Sequence, residues 1–332
     1  MFKYLSLFVL FFGLISCDEG QEPSKENAPK SKSEVLPKSN GSHAEMLALV
    51  KDKTFYGPVG EAVVEVFARD QDGLPQPESL FKVVRVEPAA ANRLLKRNKT
   101  VLIIELGDSS EVSVVKDVWA RPQIVATITA PTVEELSQLV KEYGGELVKR
   151  FQEHDRMIMR GVIKRTSMRK LPDAIEQLGI KEMLISGGFK QTLDRENLKI
   201  FKNKALRTDQ YLIFYTEPMR EGVVSGEEII ASRDSIGKNF MEGERDSSYM
   251  TTEMLIPPVQ QIVDVGDLFA VETRGLWKTV GDFMGGPFLS YTIYDEVNDQ
   301  ILVVEAMVYG PDSKKRNVLF ELETMMRSIR MD

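Results

Sequence analysis

The sequence is short of cysteine, histidine and basic charge, and each shortage removes a class of protein from consideration. Cys17 is the only cysteine among 332 residues, so whatever follows it can form no internal disulfide and offers no thiol nucleophile. Only two histidines occur, His43 in a junction segment and His154 in the charged run Gln152-Glu153-His154-Asp155-Arg156. A histidine-built zinc site is therefore discounted, and both rings are expected to be solvated. A Ser–His hydrolase is weakened further by the lack of a Gly-x-Ser-x-Gly elbow. No Gly-x-x-x-x-Gly-Lys or Gly-x-Gly-x-x-Gly loop follows a strand, so no nucleotide-phosphate cradle is in view. Lysine and arginine total 43 against 50 aspartates and glutamates, and the net charge of −7 argues against nucleic acid and against adhesion to anionic lipid. Stability must then come from a packed core, and 42% hydrophobic with 28% charged residues is the balance of an ordinary globular protein.

What is present begins at the front. Residues 4–15 form an apolar run broken only by Ser6 and Gly13, with Lys3 the one charge before it. The run is too short to span a bilayer comfortably, and its basic start and small-residue end are those of a secretory signal. Leu14-Ile15-Ser16-Cys17 resembles the bacterial lipobox, which implies a signal peptide over residues 1–17 and acyl chains, palmitate among them, on Cys17. One acyl chain binds a membrane weakly, whereas two or three anchor stably, at about 0.8 kcal/mol per buried methylene. Residues 18–42 hold no aromatic side chain and only Val35 and Leu36 as sizeable apolar ones, so they are expected to be a disordered tether. As a flexible coil it would hold the body roughly 25–30 Å from the bilayer. Asp18 and Glu19 are compatible with retention in an inner membrane, with surface export, or with a plain solvated spacer.

From residue 44 the pattern alternates between strands and helices. Strands are expected at 47–50, 81–86, 101–106, 124–130, 211–216, 268–274, 288–294 and 301–309, the last two as a hairpin turning at Val297-Asn298-Asp299. Gly57-Pro58 opens a helix with Val59, Val63, Val66 and Phe67 on one face, and 89–96 reads as a short helix. Thr132 with Glu135, and Ser225 with Glu228, are capping-box patterns ahead of amphipathic helices. A closing helix places Val318, Leu322, Met325 and Ile329 on one face. The expected fold is α+β: two α/β lobes, 43–195 and 196–332, with mainly antiparallel sheets and packed amphipathic helices. The halves share a loose order of strand, capped helix, more strands and closing helix, which would fit a degenerate duplication.

Several stretches are distinctive as a set: Gly57-Pro58-Val59-Gly60, Gly73-Leu74-Pro75-Gln76-Pro77-Glu78, Val118-Trp119-Ala120-Arg121-Pro122-Gln123, and Arg274-Gly275-Leu276-Trp277 with Met284-Gly285-Gly286-Pro287-Phe288. Together with 36–41 they resemble a domain-of-unknown-function family of envelope lipoproteins from Bacteroidota. The resemblance implies an acylated envelope location, and it brings no activity and no functional residues with it.

Motifs with chemical content are few. Ser113 and Lys116 have Ser-x-x-Lys spacing in a strand, where residues three apart point to opposite faces, so that pair fails. Ser235 and Lys238 have it on a helix, where the geometry is allowed, but the companion Ser-Asp-Asn and Lys-Thr-Gly segments are missing. Asp70-Gln71-Asp72-Gly73 looks like a calcium loop but has Phe81 where the twelfth-position glutamate belongs. The pairs Gly144-Gly145, Gly187-Gly188 and Gly285-Gly286 read as turns and helix stops. Trp119 and Trp277, with Phe283 and Phe288, are candidates to line a ligand groove, core packing being the commoner role for such side chains. No catalytic residue, metal or cofactor is assigned. The leading expectation is a non-catalytic envelope binding or interaction module. It would be tied to the membrane through Cys17, in the outer rather than the inner membrane, facing the periplasm or the exterior, with an envelope protein as its partner. The alternative is a carboxylate-based hydrolase acting on envelope glycans or peptides, since paired acids need no visible motif.

Overall fold

The structure is a computed structural model and describes residues 35–331. Cys17, the signal segment and residues 18–34 of the expected tether lie outside the described residues. No helix among the described residues is long and apolar enough to cross a membrane.

The chain enters along a bound edge rather than a free one. Residues 18–42 were expected to be tether throughout, but Lys38 and Asn40 bridge to Arg121 and Asn98. The Arg97 guanidinium also donates to the Lys38 carbonyl at 2.6 Å. The Asn40 side chain donates to the Leu94 carbonyl at 3.0 Å, and the rest of the attachment is made by the backbone of the stretch itself.

Two sheets follow. The first comprises β1 (Glu45–Val50), β2 (Lys82–Val86), β3 (Thr100–Leu106), β4 (Glu111–Lys116) and β5 (Ile124–Ala130), with α1 (Gly60–Phe67) between β1 and β2. Its order is β2-β1-β3-β5-β4. β1 runs parallel to β2 and β3, β3 is parallel to β5, and only β4 is antiparallel. Parallel strands are buried on both faces, which is why β1 and β3 read as nearly unbroken apolar runs. Met46, Val50 and Leu102 face α1 and the helix after β5, while Leu47, Leu49 and Val101 face Leu95 and Trp119. The helix expected at 89–96 is two short turns instead, Pro88–Ala90 and Leu95–Arg97. Asn92 breaks it by accepting the backbone N–H of Leu94 and Leu95 on its side chain, an Asx turn that competes with the helix.

The helix after β5, α2, spans Val133–Thr166, 34 residues or about 51 Å. Thr132 caps it by accepting the Glu135 N–H at 3.2 Å. Its first turns put Leu136, Val140, Leu147 and Phe151 into the first core, and Ile163 reaches the second. The pair Gly144-Gly145 lies inside this helix and neither turns nor stops it. A Cβ on Gly144 would sit 2.4 Å from Val66 Cγ1, so glycine there lets α1 pack close.

The second sheet contains β6 (Lys190–Arg195), β7 (Leu198–Lys204), β8 (Asp209–Pro218), β9 (Tyr249–Thr252), β10 (Val259–Val265), β11 (Leu268–Val280), β12 (Gly285–Asp295) and β13 (Gln300–Tyr309). Its order is β10-β11-β12-β13-β8-β7-β6, with β9 paired to the far end of β11, and every pair is antiparallel. α3 (Gly226–Phe240), with its Ser225–Glu228 capping box formed, covers one face by packing Ile230 and Ile236 toward Trp277 and Phe288. α4 (Arg316–Met326) covers the other with Leu322 and Met325 against Leu289 and Tyr291. The fold is α+β, and antiparallel pairing predominates over the molecule as a whole. The two sheets differ in order and in strand sense, so the shared element order is not a repeated topology.

Candidate functional site

A cavity of about 620 Å³ lies between α2 on one side and β10, β11 and α4 on the other. A smaller one of about 160 Å³ adjoins it and shares Arg69, Arg156, Gln261, Glu272, Arg274 and Glu323. The side chains reach this point from three elements. Alternation along β11 puts Ala270, Glu272 and Arg274 on the face turned toward α4. On α4 and its end, Glu323 and Arg327 are one turn apart on the same side. Arg156 comes from the second half of α2.

They form one ion network. Glu323 receives Arg274 Nη2 at 3.0 Å, Arg156 Nη2 at 3.0 Å and Arg327 Nε at 3.2 Å. Glu272 receives Arg274 Nε at 2.6 Å and Arg327 Nη2 at 3.3 Å, while Gln261 Nε2 donates to it at 2.7 Å. The Tyr291 hydroxyl donates to Glu272 at 2.9 Å and accepts Arg327 Nε at 2.9 Å. Glu272 is 1% and Glu323 is 4% exposed, so these are buried charges and their state is decided by partners rather than by water. Burial opposes the charge on Glu323, yet the Arg274, Arg156 and Arg327 guanidiniums outweigh it and hold the carboxyl below its usual range. Glu272 is likewise held low, burial being overcome chiefly by Arg274. Burial first, and then Glu323 and Glu272, push the Tyr291 phenol up, so it stays neutral. One donor is left over. Arg156 Nη1 is fully buried with no hydrogen-bond partner among the described residues.

One residue back along α2, Asp155 makes a second buried node. It pairs with His43 Nδ1 at 2.9 Å and Lys99 Nζ at 2.9 Å and accepts the Ala44 N–H at 2.8 Å. Both histidines were expected on the surface. Instead His154 is 6% exposed, its pKa lowered by burial, and His43 stacks 4.0 Å from the Phe320 ring. A charged run looked solvated because its partners lie far away in sequence.

Of the expected groove aromatics only Trp277 and Phe288 come together. Trp277 and Phe288 are buried in the core beneath α3, where Phe288 carries the Arg233 guanidinium 3.8 Å from its ring centre. Trp119 is half-buried on the first sheet with Lys96 over it, and Phe283 is 90% exposed at the β11–β12 turn. Ser113 and Lys116 lie on β4, three apart as the strand reading required. On α3, Asn239 donates to the Ser235 hydroxyl, while Lys238 lies over the Tyr249 ring. Asp72 pairs loosely with Arg69 at 3.8 Å, and no group of three His, Cys, Asp or Glu side chains that could hold a metal ion occurs among the described residues. A larger space of about 770 Å³ lies under α3 beside β7 and β8, lined by Tyr215, Ile236 and Phe240. At its rim Arg220 pairs with Glu217 at 2.8 Å and with Glu228 at 3.6 Å.

The ion network was not read from sequence. The signal that could have found it is Glu272 with Arg274 on alternate positions of a long, largely apolar strand, where an acid and a base two apart share one face.

Fold and site thus define a two-sheet α+β protein with an arginine-lined cavity at the seam. Residues 168–328 match the family model of a domain of unknown function (DUF4837). Residues 39–164 match that of a second domain of unknown function (DUF8532). No curated protein matches the chain. Arg156 comes from the second of these matches and the other four charges of the network from the first.

Proposed function

We propose that the chain is a lipid-anchored, non-catalytic binding module of a bacterial cell envelope, with the cavity between α2 and the second sheet as its binding site. The lipobox-like Leu14-Ile15-Ser16-Cys17 supports the anchor, and the tether after it supports a body held off the membrane. Location in the outer membrane, facing the periplasm or the exterior, is part of the same reading.

The observation that carries binding over hydrolysis is the state of the two carboxyls that meet in the cavity. A carboxylate-pair hydrolase needs one of them to keep its proton near neutral pH and give it to a leaving group. Glu272 and Glu323 are both pushed the other way by arginines that occupy their oxygens. Glu305, which burial does push up, is enclosed against Arg233 at 3.0 Å and lines neither cavity. Uptake of an apolar small molecule fits less well, since charged side chains dominate the wall and neither tryptophan reaches it.

The test is cross-linking in intact cells, purification of the acylated protein, and mass spectrometry of what accompanies it. A stoichiometric companion supports the module. A protein that comes alone and turns over an envelope polymer sinks it. Cys17→Ser should move the protein from the membrane to the soluble fraction, and continued membrane retention would overturn the anchor.

A further inference from the structure

We infer that the seam cavity takes a small ligand presenting one carboxylate, gripped by Arg156. This deepens the binding-module reading and rests on it.

The first argument is charge. Three arginines, Arg156, Arg274 and Arg327, meet two carboxylates, Glu272 and Glu323, and the tyrosine among them is neutral. The cluster therefore holds one positive charge more than it neutralises. Glu153 approaches Arg156 Nε at 3.3 Å, but its side chain is 62% exposed and water screens it. The second argument is the hydrogen-bond inventory of Arg156. Its Nε and Nη2 are used, its side chain is 7% exposed, and it lines both cavities, yet Nη1 has no partner among the described residues. Buried guanidinium donors are ordinarily all satisfied, and the guanidinium with this spare nitrogen also lines both cavities, where an oxyanion would add to its partners.

The wall agrees. At the mouth, Glu65 is taken up by Lys141 at 2.9 Å and Glu153 by Arg156 at 3.3 Å, whereas Lys149 makes no ion pair among the described residues and Arg69 pairs only loosely with exposed Asp72. At about 620 Å³ the space is in the range of small-molecule sites. The floor then selects among anions. Glu272 and Glu323 line the same space, so a doubly charged phosphate meets more repulsion there than a singly charged carboxylate. The planar guanidinium fork also matches a carboxylate directly. A free organic acid and the C-terminal carboxylate of a peptide share this chemistry.

The experiment is calorimetric titration of the full-length protein in detergent with acetate, propionate, N-acetyl-alanyl-alanine, inorganic phosphate and glucose. Carboxylates should bind and glucose should not. The tighter of the free acids and the peptide identifies the source. Arg156→Gln should weaken carboxylate binding by about 10-fold or more, the loss of one charge-assisted hydrogen bond. Lys149→Gln, at an exposed position that folding does not need, should weaken it by roughly 2- to 5-fold, the scale of a solvent-exposed charge pair. Preference for phosphate, equal binding of glucose, no heat from any carboxylate at millimolar concentration, or carboxylate affinity unchanged in both variants would each overturn the inference. If carboxylates fail while the cross-linked companion persists, the inference falls and the binding module stands; if both fail, both readings fall.

Discussion

At the scale of single residues the buried charges are where the molecule is most exposed to mutation. Asp155 is 2% exposed and holds His43, Lys99 and the Ala44 N–H at once. Removing one partner of such a node leaves the others charged or unpaired in the interior, which is the expensive way to break a buried ion pair. Asp155→Ala should destabilise the protein by about 3–5 kcal/mol in urea or thermal unfolding. The same node sets an acid limit. Burial alone would raise the Asp155 pKa, but the His43 contact, Lys99 and the Ala44 N–H overcome it and bring the value to about 2. An aspartate in the unfolded chain titrates near about 3.9. The folded value is the lower one, so this contribution is fully present above roughly pH 4 and is lost as pH falls toward 2. Unfolding free energy measured from pH 5 to pH 2 should fall more steeply for the native protein than for Asp155→Asn. Parallel curves would show that Asp155 is not held low.

At the scale of elements, α2 carries a contrast within two adjacent residues. A Cβ at Gly144 would press on Val66 Cγ1 at 2.4 Å, whereas one at Gly145 meets nothing within 4 Å. Alanine gains about 1 kcal/mol of helix propensity over glycine at either place. At Gly144 the β-branched valine has little room to turn, and overpacking costs about 1–3 kcal/mol. Gly145→Ala should therefore raise the melting temperature and Gly144→Ala lower it. A rise in both would mean that α1 slides away from α2 at no cost. The elements themselves were unevenly legible. β3, β5, β8, β12 and β13 are interior strands, and their apolar runs stood out at nearly their observed bounds. β10 and β6 are sheet edges with mostly exposed side chains, so the apolar alternation that marks a strand is missing from both. β7 escaped notice because its Lys199 is buried against Asp194 at 2.6 Å rather than solvated. α2 was legible as far as Leu147. Beyond that charged residues join its inward face, and the partners that make Asp155 and Arg156 buried lie on the entry segment, at Lys99 and on α4, where sequence spacing gives no hint of them.

For the whole molecule, the ion network joins the segment 39–164 to the segment 168–328 through Arg156 and Glu323. Glu323 alone accepts three guanidiniums, so Glu323→Gln leaves two buried positive charges in excess where there was one. We expect a loss of about 3–5 kcal/mol. The loss should fall unevenly, loosening α2 against the second sheet before either core opens. Hydrogen exchange resolved by peptide would register it first in the second half of α2 and in α4. Uniform acceleration across both sheets would argue that the network is not the seam.

The placement of Asp155 beside Arg156 has a mechanical side. Were Cys17 fixed in a bilayer as proposed, any drag on the body would arrive through the entry segment, whose last strong attachment before β1 is the Ala44 N–H and His43 ring held by Asp155. The next residue along the same rigid helix is the one that reaches into the cavity. On the proposed anchor and site, tension from the membrane side and occupancy of the cavity would be delivered to neighbouring positions on one rod, so a tug on the anchor would pull on the grip.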